Sequence, residues 1–186
     1  MFNFPVDQLW QIARAVDERA AESTNADCIV PRLYLTNYPT ATDPEELTRL
    51  AATHVVSVLE QDIEVPKFIQ EEHKLHIRMA DSTRVDLLQH LDKTTSFIHA
   101  ALEENSTNVV VVHCMMGVSR SVTVVCAYLI AQKNMTVIQA IAYVQSKRPI
   151  ASPNPGFVNQ LETFASKHKS SCESVEEEAG GSIVQS

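Results

Sequence analysis

Residues 109–121, VVVVHCMMGVSRS, constrain this chain more than any other stretch. Four consecutive β-branched valines make a short apolar run of the kind that forms a strand buried on both faces. His113 and Cys114 end the run, a small loop with Gly117 follows, and VTVVCAYLIAQK then reads as a buried helix. A thiol therefore stands at the mouth of a strand-to-helix turn, with Arg120 six residues on, in the first turn of the helix. Backbone N–H groups at such a turn are unpaired and carry the positive end of the helix dipole, which makes the turn an anion site. The same field favours thiolate over thiol, so Cys114 is a candidate nucleophile at neutral pH. A Cys-x5-Arg spacing alone is a weak signal. The strand before it, the glycine inside it and the long apolar helix after it give it weight.

The rest of the chain alternates short strands with helices. CIVPRLYLTN reads as two short strands interrupted by Pro31, and Pro44 opens a helix through Leu50 capped by Asp43 or Thr42. HVVSVLE (54–60) and KLHIRMA (74–80) read as strands, the second ending at Asp81. Residues 87–102 carry a helical apolar face, VIQAIAYVQSK is a helix announced by Asn134 and Thr136, and FVNQLETFASK is the last. This order predicts an α/β fold: a central, mostly parallel, twisted sheet flanked by helices. Residues 1–26 place Val6, Leu9, Trp10, Ile12, Ala13 and Val16 at helical spacing and are expected to form an amphipathic helix packing on the domain. The catalytic-type domain is expected over 27–167. Residues 168–186, polar and acidic, are expected to be a disordered tail.

HCMMGVSRS resembles the His-Cys-x5-Arg-Ser signature of the cysteine-based protein tyrosine phosphatase superfamily, and its Gly-x-Ser-Arg-Ser ending resembles the dual-specificity branch. IVPRLYLTN, THVVSVLE, the Met79-Ala80-Asp81 turn and KRPIASPNPGFVNQLETF are similar, in order, to landmarks of a small, atypical dual-specificity phosphatase catalytic domain. Thr36 departs from that pattern, standing where the family often has glycine. The resemblance implies a cysteine-phosphatase-like fold and hydrolysis of phosphotyrosine and phosphoserine/threonine in proteins, with no metal and no cofactor.

A phosphate monoester needs an in-line nucleophile, neutralisation of three equatorial oxygens and a proton for the leaving oxygen. Cys114 would attack and carry a phosphocysteine, while Arg120 would hold two oxygens through its planar fork. The backbone of Met115, Met116, Gly117, Val118, Ser119 and Arg120 would complete the cradle, with Gly117 permitting the tight turn. Ser121 could donate to the thiolate, or be a helix-start residue that bonds only backbone. His113 is expected to orient the loop rather than move protons, which is compatible with a buried, satisfied histidine. Asp81 is the candidate general acid and base: it sits at the carboxyl edge of a strand, where active sites of open α/β sheets collect. Its position also resembles the family's general-acid loop. A turn or cap carboxylate is the competing reading of Asp81, and Asp86 and Asp92 are rivals that fall at or inside the next helix. Asn154 matches a family asparagine that braces the phosphate loop, and would otherwise be an ordinary turn asparagine.

With a net charge of −8, the chain is a poor partner for nucleic acid or anionic membrane, so a phosphate site must rely on local design. No run approaches a membrane span and no leader is read at the start. The four cysteines are irregularly spaced and fit reduced thiols of a cytoplasmic protein, or one also found in the nucleus. Cys28 and Cys126 are expected in the core and Cys172 exposed. Met115, Met116 and Val118 add no base to the loop, which argues for phosphoproteins over polyanionic substrates. Two other readings stand beside catalysis on proteins: a phosphate-binding adaptor with little turnover, and a phosphatase of a non-protein phosphoester. Redox chemistry at Cys114 lacks a Cys-x-x-Cys partner and fits oxidative regulation better than a primary function.

Overall fold

The structure, a computed structural model, describes residues 26–180, with side chains through His168. Among these residues, five strands make one sheet: β1 (Asp27–Val30), β2 (Leu33–Thr36), β3 (His54–Val58), β4 (Lys74–Ile77) and β5 (Val110–His113), in the order β1-β2-β5-β3-β4. Only the β1–β2 pair is antiparallel; β2, β3 and β4 join the sheet through parallel ladders. The helices are α1 (Tyr38–Thr42), α2 (Pro44–Arg49), α3 (Leu88–Glu104), α4 (Arg120–Lys133), α5 (Val137–Lys147) and α6 (Pro155–Gly180), with a 3₁₀ turn at Glu71–His73. The expected α/β architecture is the one observed.

The valine run forms the central strand because both of its faces are covered. Val110 and Val112 enter a core that includes Val122, Val125, Leu129 and Phe157 of the helical layer. Val111 enters a smaller core with Leu47, Val55 and Ile69 on the opposite face. Side chains alternate along a strand, so Cys114 follows Val112 to the helical side and His113 follows Val111 to the other. Helix α4 is buried along Arg120–Ile130, as the apolar run from Val122 to Ile130, interrupted only by Thr123, requires. It ends where Asn134 takes a left-handed conformation with φ of 52°. Thr136 and Gln139 then form a reciprocal capping box at the start of α5.

Four expectations change. The strand KLHIRMA stops at Ile77 rather than Ala80, because Met79 spends its carbonyl on Arg120 (3.1 Å) instead of a ladder partner. Asp81 therefore lies on the loop beyond β4. The strand HVVSVLE likewise stops at Val58. Cys28 is exposed rather than core, since on edge strand β1 it is Ile29 that points inward and Cys28 takes the other face. Helix α6 passes through the boundary expected at residue 168 and reaches Gly180; no glycine or proline interrupts residues 157–179. The amphipathic helix expected over residues 1–26 lies outside the described residues, apart from Ala26, and so does the Cys172 side chain.

Candidate active site

The loop from Cys114 to Ser119 joins β5 to α4, and its carbonyls are held from outside. Tyr38 N–H donates to Met115 O (3.1 Å), Arg148 Nη2 to Met116 O (3.2 Å), Arg148 Nε to Gly117 O (2.8 Å) and Ser152 N–H to Val118 O (2.7 Å). In a trans peptide the N–H points opposite to the carbonyl of the preceding residue. Carbonyls turned outward therefore turn the N–H groups of residues 116–119 inward, forming an anion nest. Gly117 N–H is one of them and donates to Cys114 Sγ at 3.2 Å.

Gly117 makes this loop buildable. Its φ is +66°, and a Cβ there would sit 2.5 Å from Thr36 O and 2.7 Å from Arg148 Nη2. Both the conformation and the space exclude a side chain. Thr36, the departure from the family pattern, contributes its backbone here rather than its side chain.

Cys114 is fully enclosed, at 1% exposure. Burial pushes its thiol pKa up, but the Arg120 charge, the Ser121 hydroxyl and the N–H groups of Ser121 and Val118 together bring it below the ordinary value. Ser121 Oγ donates to Sγ at 3.1 Å, so its hydroxyl is not confined to backbone bonding. Cys126, by contrast, is buried without such partners, and burial pushes its thiol up to about 12. One thiol of this helical layer is primed and the other is inert.

Arg120 is 9% exposed and donates from Nη1 to Met79 O; its Nε makes no hydrogen bond and faces Asp81 Oδ2 at 3.6 Å. Asp81 Oδ1 accepts from Ser119 Oγ (2.9 Å) and Asn154 Nδ2 (2.7 Å). The structure thus brings Asp81 to the Cys114 loop, as parallel strands sharing one carboxyl edge require. Its rivals do other work: Asp86 accepts from the backbone of Gln89 at the start of α3, and Asp92 pairs with His168. Asn154 touches both the loop and Asp81, because its own N–H donates to Ser119 Oγ at 3.1 Å.

His113 and Ser57 are register partners on β5 and β3, and His113 Nε2 lies 2.7 Å from Ser57 Oγ. The ring is wholly buried, and burial pushes its pKa down to about 4, so it is a neutral prop beneath the loop. This agrees with an orienting role, the ring being uncharged at neutral pH.

Sequence reasoning missed Arg148 and Ser57. Arg148 is 1% exposed and binds Asp27 Oδ2 through Nη1 at 2.7 Å while it grips two loop carbonyls. Arg148 follows the last residue of α5 and precedes Pro149, and nothing local in the sequence marks this arginine as buried. Ser57 carried a clearer signal: a hydroxyl inside HVVSV, a strand otherwise apolar after its first residue.

Residues 33–167 match the family model described as dual specificity phosphatase, catalytic domain. The chain is 41% identical over 136 residues to dual specificity protein phosphatase 22-B of Danio rerio, covering 73% of this chain and 72% of that one. It is 39% identical over 145 residues to protein phosphatase Slingshot homolog 3 of Homo sapiens, covering 77% of this chain but 21% of that longer relative. In three dimensions it is similar to the crystal structure of DUSP15, with a TM-score of 0.74, 30% identity, and coverage of 88% of this chain and 100% of that one.

Proposed function

The chain belongs to the dual specificity phosphatase catalytic-domain family, and from that premise we propose how it works as a protein phosphatase. Cys114 Sγ attacks phosphorus in line with the ester oxygen, and a phosphocysteine forms as the phosphorus–oxygen bond breaks. The inward N–H groups of residues 116–119 and the Arg120 guanidinium neutralise the equatorial oxygens. Asp81, protonated, gives its proton to the departing phenol or alcohol oxygen. As a carboxylate it then takes a proton from the water that splits phosphorus from sulfur. Ser121 donates to the sulfur throughout and steadies it as a leaving thiolate.

The observation that carries this reading is the enclosure of one thiol by a backbone nest, a hydroxyl and an arginine, with a carboxylate on the same arginine. Substrates are phosphoproteins. That both phosphotyrosine and phosphoserine/threonine enter the site is part of the proposal, supported by the family, while the apolar Met115, Met116 and Val118 favour phosphoproteins over polyanionic substrates. A cytoplasmic location, with the nucleus also open to it, suits a reaction that needs Cys114 reduced. No helix among the described residues is long and apolar enough to cross a membrane.

The test is hydrolysis of an aryl phosphate, then of phosphotyrosine and phosphothreonine peptides, across pH 5 to 8 with chelator present. Wild type should turn over, Cys114→Ser should be inactive, and acid quenching of wild type should trap phosphate on Cys114. A wild type that binds tungstate without turnover would replace this reading with the adaptor.

A further inference from the structure

A second cluster of ligating side chains lies at the other end of the sheet from Cys114. His54 opens β3, His73 ends the 3₁₀ turn that feeds β4, and Glu104 ends α3. Parallel strands begin together at the edge opposite their carboxyl ends, and α3, which links β4 to β5, runs back to that edge. One ligand atom from each of the three residues lies within 4.8 Å of the other two. We propose that His54, His73 and Glu104 form a binding site for a zinc-class divalent transition-metal ion that clips these three segments together.

The chemistry of the donors selects the ion. Two imidazoles and one carboxylate suit zinc and its first-row neighbours, whereas magnesium and calcium require mostly oxygen ligands. His54 is the fixed member, at 3% exposure, with Phe97 edge-on to its ring at 5.7 Å. Thr53 Oγ1 lies 2.8 Å from its Nδ1, 3.1 Å from Val109 O and 2.9 Å from Val109 N. With the ring proton on Nδ1, His54 donates to the hydroxyl, the hydroxyl donates to Val109 O, and Nε2 keeps its lone pair for a metal. Such an outer hydrogen bond is the usual way a ligating histidine is oriented. His73 is half-buried and stacks on His54 with ring centroids 4.1 Å apart; Glu104 is exposed. A tetrahedral ion with bonds of about 2 Å needs donors roughly 3.3 Å apart. The two outer side chains have the freedom to close that gap while His54 stays in place. Three protein ligands leave the fourth position to water. The ion is structural, since the reacting atoms gather at the opposite edge.

The experiment titrates zinc into the full-length chain carrying Cys114→Ser, which removes the primed thiolate as a competing ligand, against a chromophoric chelator. One ion per chain should bind with micromolar or tighter affinity, and the melting temperature should rise with zinc. His73→Ala and Glu104→Gln each act on an outer ligand and should keep the fold by circular dichroism. Each should weaken binding at least tenfold and abolish the thermal shift. Cobalt in place of zinc should show visible d–d bands without a thiolate charge-transfer band. Absence of binding at micromolar zinc, unchanged affinity in His73→Ala, or a thiolate band abolished by Cys28→Ser would overturn the proposal.

Discussion

Asn154 Nδ2 donates to Asp81 Oδ1 at 2.7 Å, a bond between residues 73 positions apart that links the turn before α6 to the loop after β4. The oxygen it holds also accepts from Ser119, so the acid and the phosphate loop share one hydrogen-bonded knot. Asp81→Asn should lower kcat by about 10²–10⁴-fold, the usual worth of a general acid. The loss should be steepest on alkyl phosphates, whose leaving oxygen most needs a proton, and mild on nitrophenyl phosphate. Asn154→Ala should cost about tenfold, with the same dependence on leaving group and little change in KM. Equal losses on good and poor leaving groups would remove Asp81 from acid catalysis.

Ser121 and Cys114 give a second expectation. The hydroxyl lowers the thiol pKa, so Ser121→Ala should move the midpoint of iodoacetamide alkylation of Cys114 to higher pH. A hydrogen bond to a charged group is worth about 1.5–3 kcal/mol, so breakdown of phosphocysteine should slow at least about tenfold. Rapid-quench measurement should then show a burst of product ahead of slow turnover. An unshifted alkylation profile would leave Ser121 a helix-start residue only.

Arg148 should act on the reaction without touching substrate. Arg148→Met removes the donors to two loop carbonyls and leaves Asp27 without its partner. Asp27 is 27% exposed, so water recovers part of the loss and the cost to stability should be about 2 kcal/mol. Urea unfolding reads that cost, and tungstate affinity should fall with it because the nest loosens. Arg148→Lys, lacking the planar fork, should not restore affinity. Gly117→Ala should be more severe for binding, since its Cβ meets the Thr36 backbone.

His113 makes stability depend on pH. Its folded pKa, about 4, lies below the ordinary 6.5, so between these values the unfolded chain binds a proton that the folded chain refuses. Folding stability should therefore fall as pH drops from 6.5 toward 4, by about 1.4 kcal/mol per pH unit for one such group. The contribution is complete above 6.5 and levels off below 4. His113→Gln should flatten the slope in this window relative to wild type in urea titrations at matched pH.

The contiguous part of the site was legible in the sequence and the remote part was not. Val109 to Ser121 carries strand, nucleophile, glycine and arginine within 13 residues, where local chemistry and order are enough to recover their arrangement. Asp81 was reachable by topology, because parallel strands deliver their ends to one edge. Arg148 lies 31 residues from Gly117 and 121 from Asp27, and only packing brings the three together. A buried arginine after a helix looks like a solvated one when its acceptors are backbone carbonyls, which have no letter in a sequence. Cys28 failed for a related reason: an apolar neighbourhood names a strand but not which of its two faces is covered. Helix α1 went unread because Pro39 and three threonine or alanine neighbours carry no apolar period; Asn37 capping Thr40 N–H at 3.1 Å starts it.

Arg148, Ser152 and Asn154 all lie on the short turn between α5 and α6. From there, the first two hold three of the four carbonyls that aim the nest, Tyr38 holding the fourth, and the third holds the acid. The two halves of the chemistry thus hang from a single hinge pin, seven residues long and remote in sequence from both. A substitution that displaces that turn should disarm nucleophile and acid in one stroke while leaving Cys114 and Asp81 chemically intact.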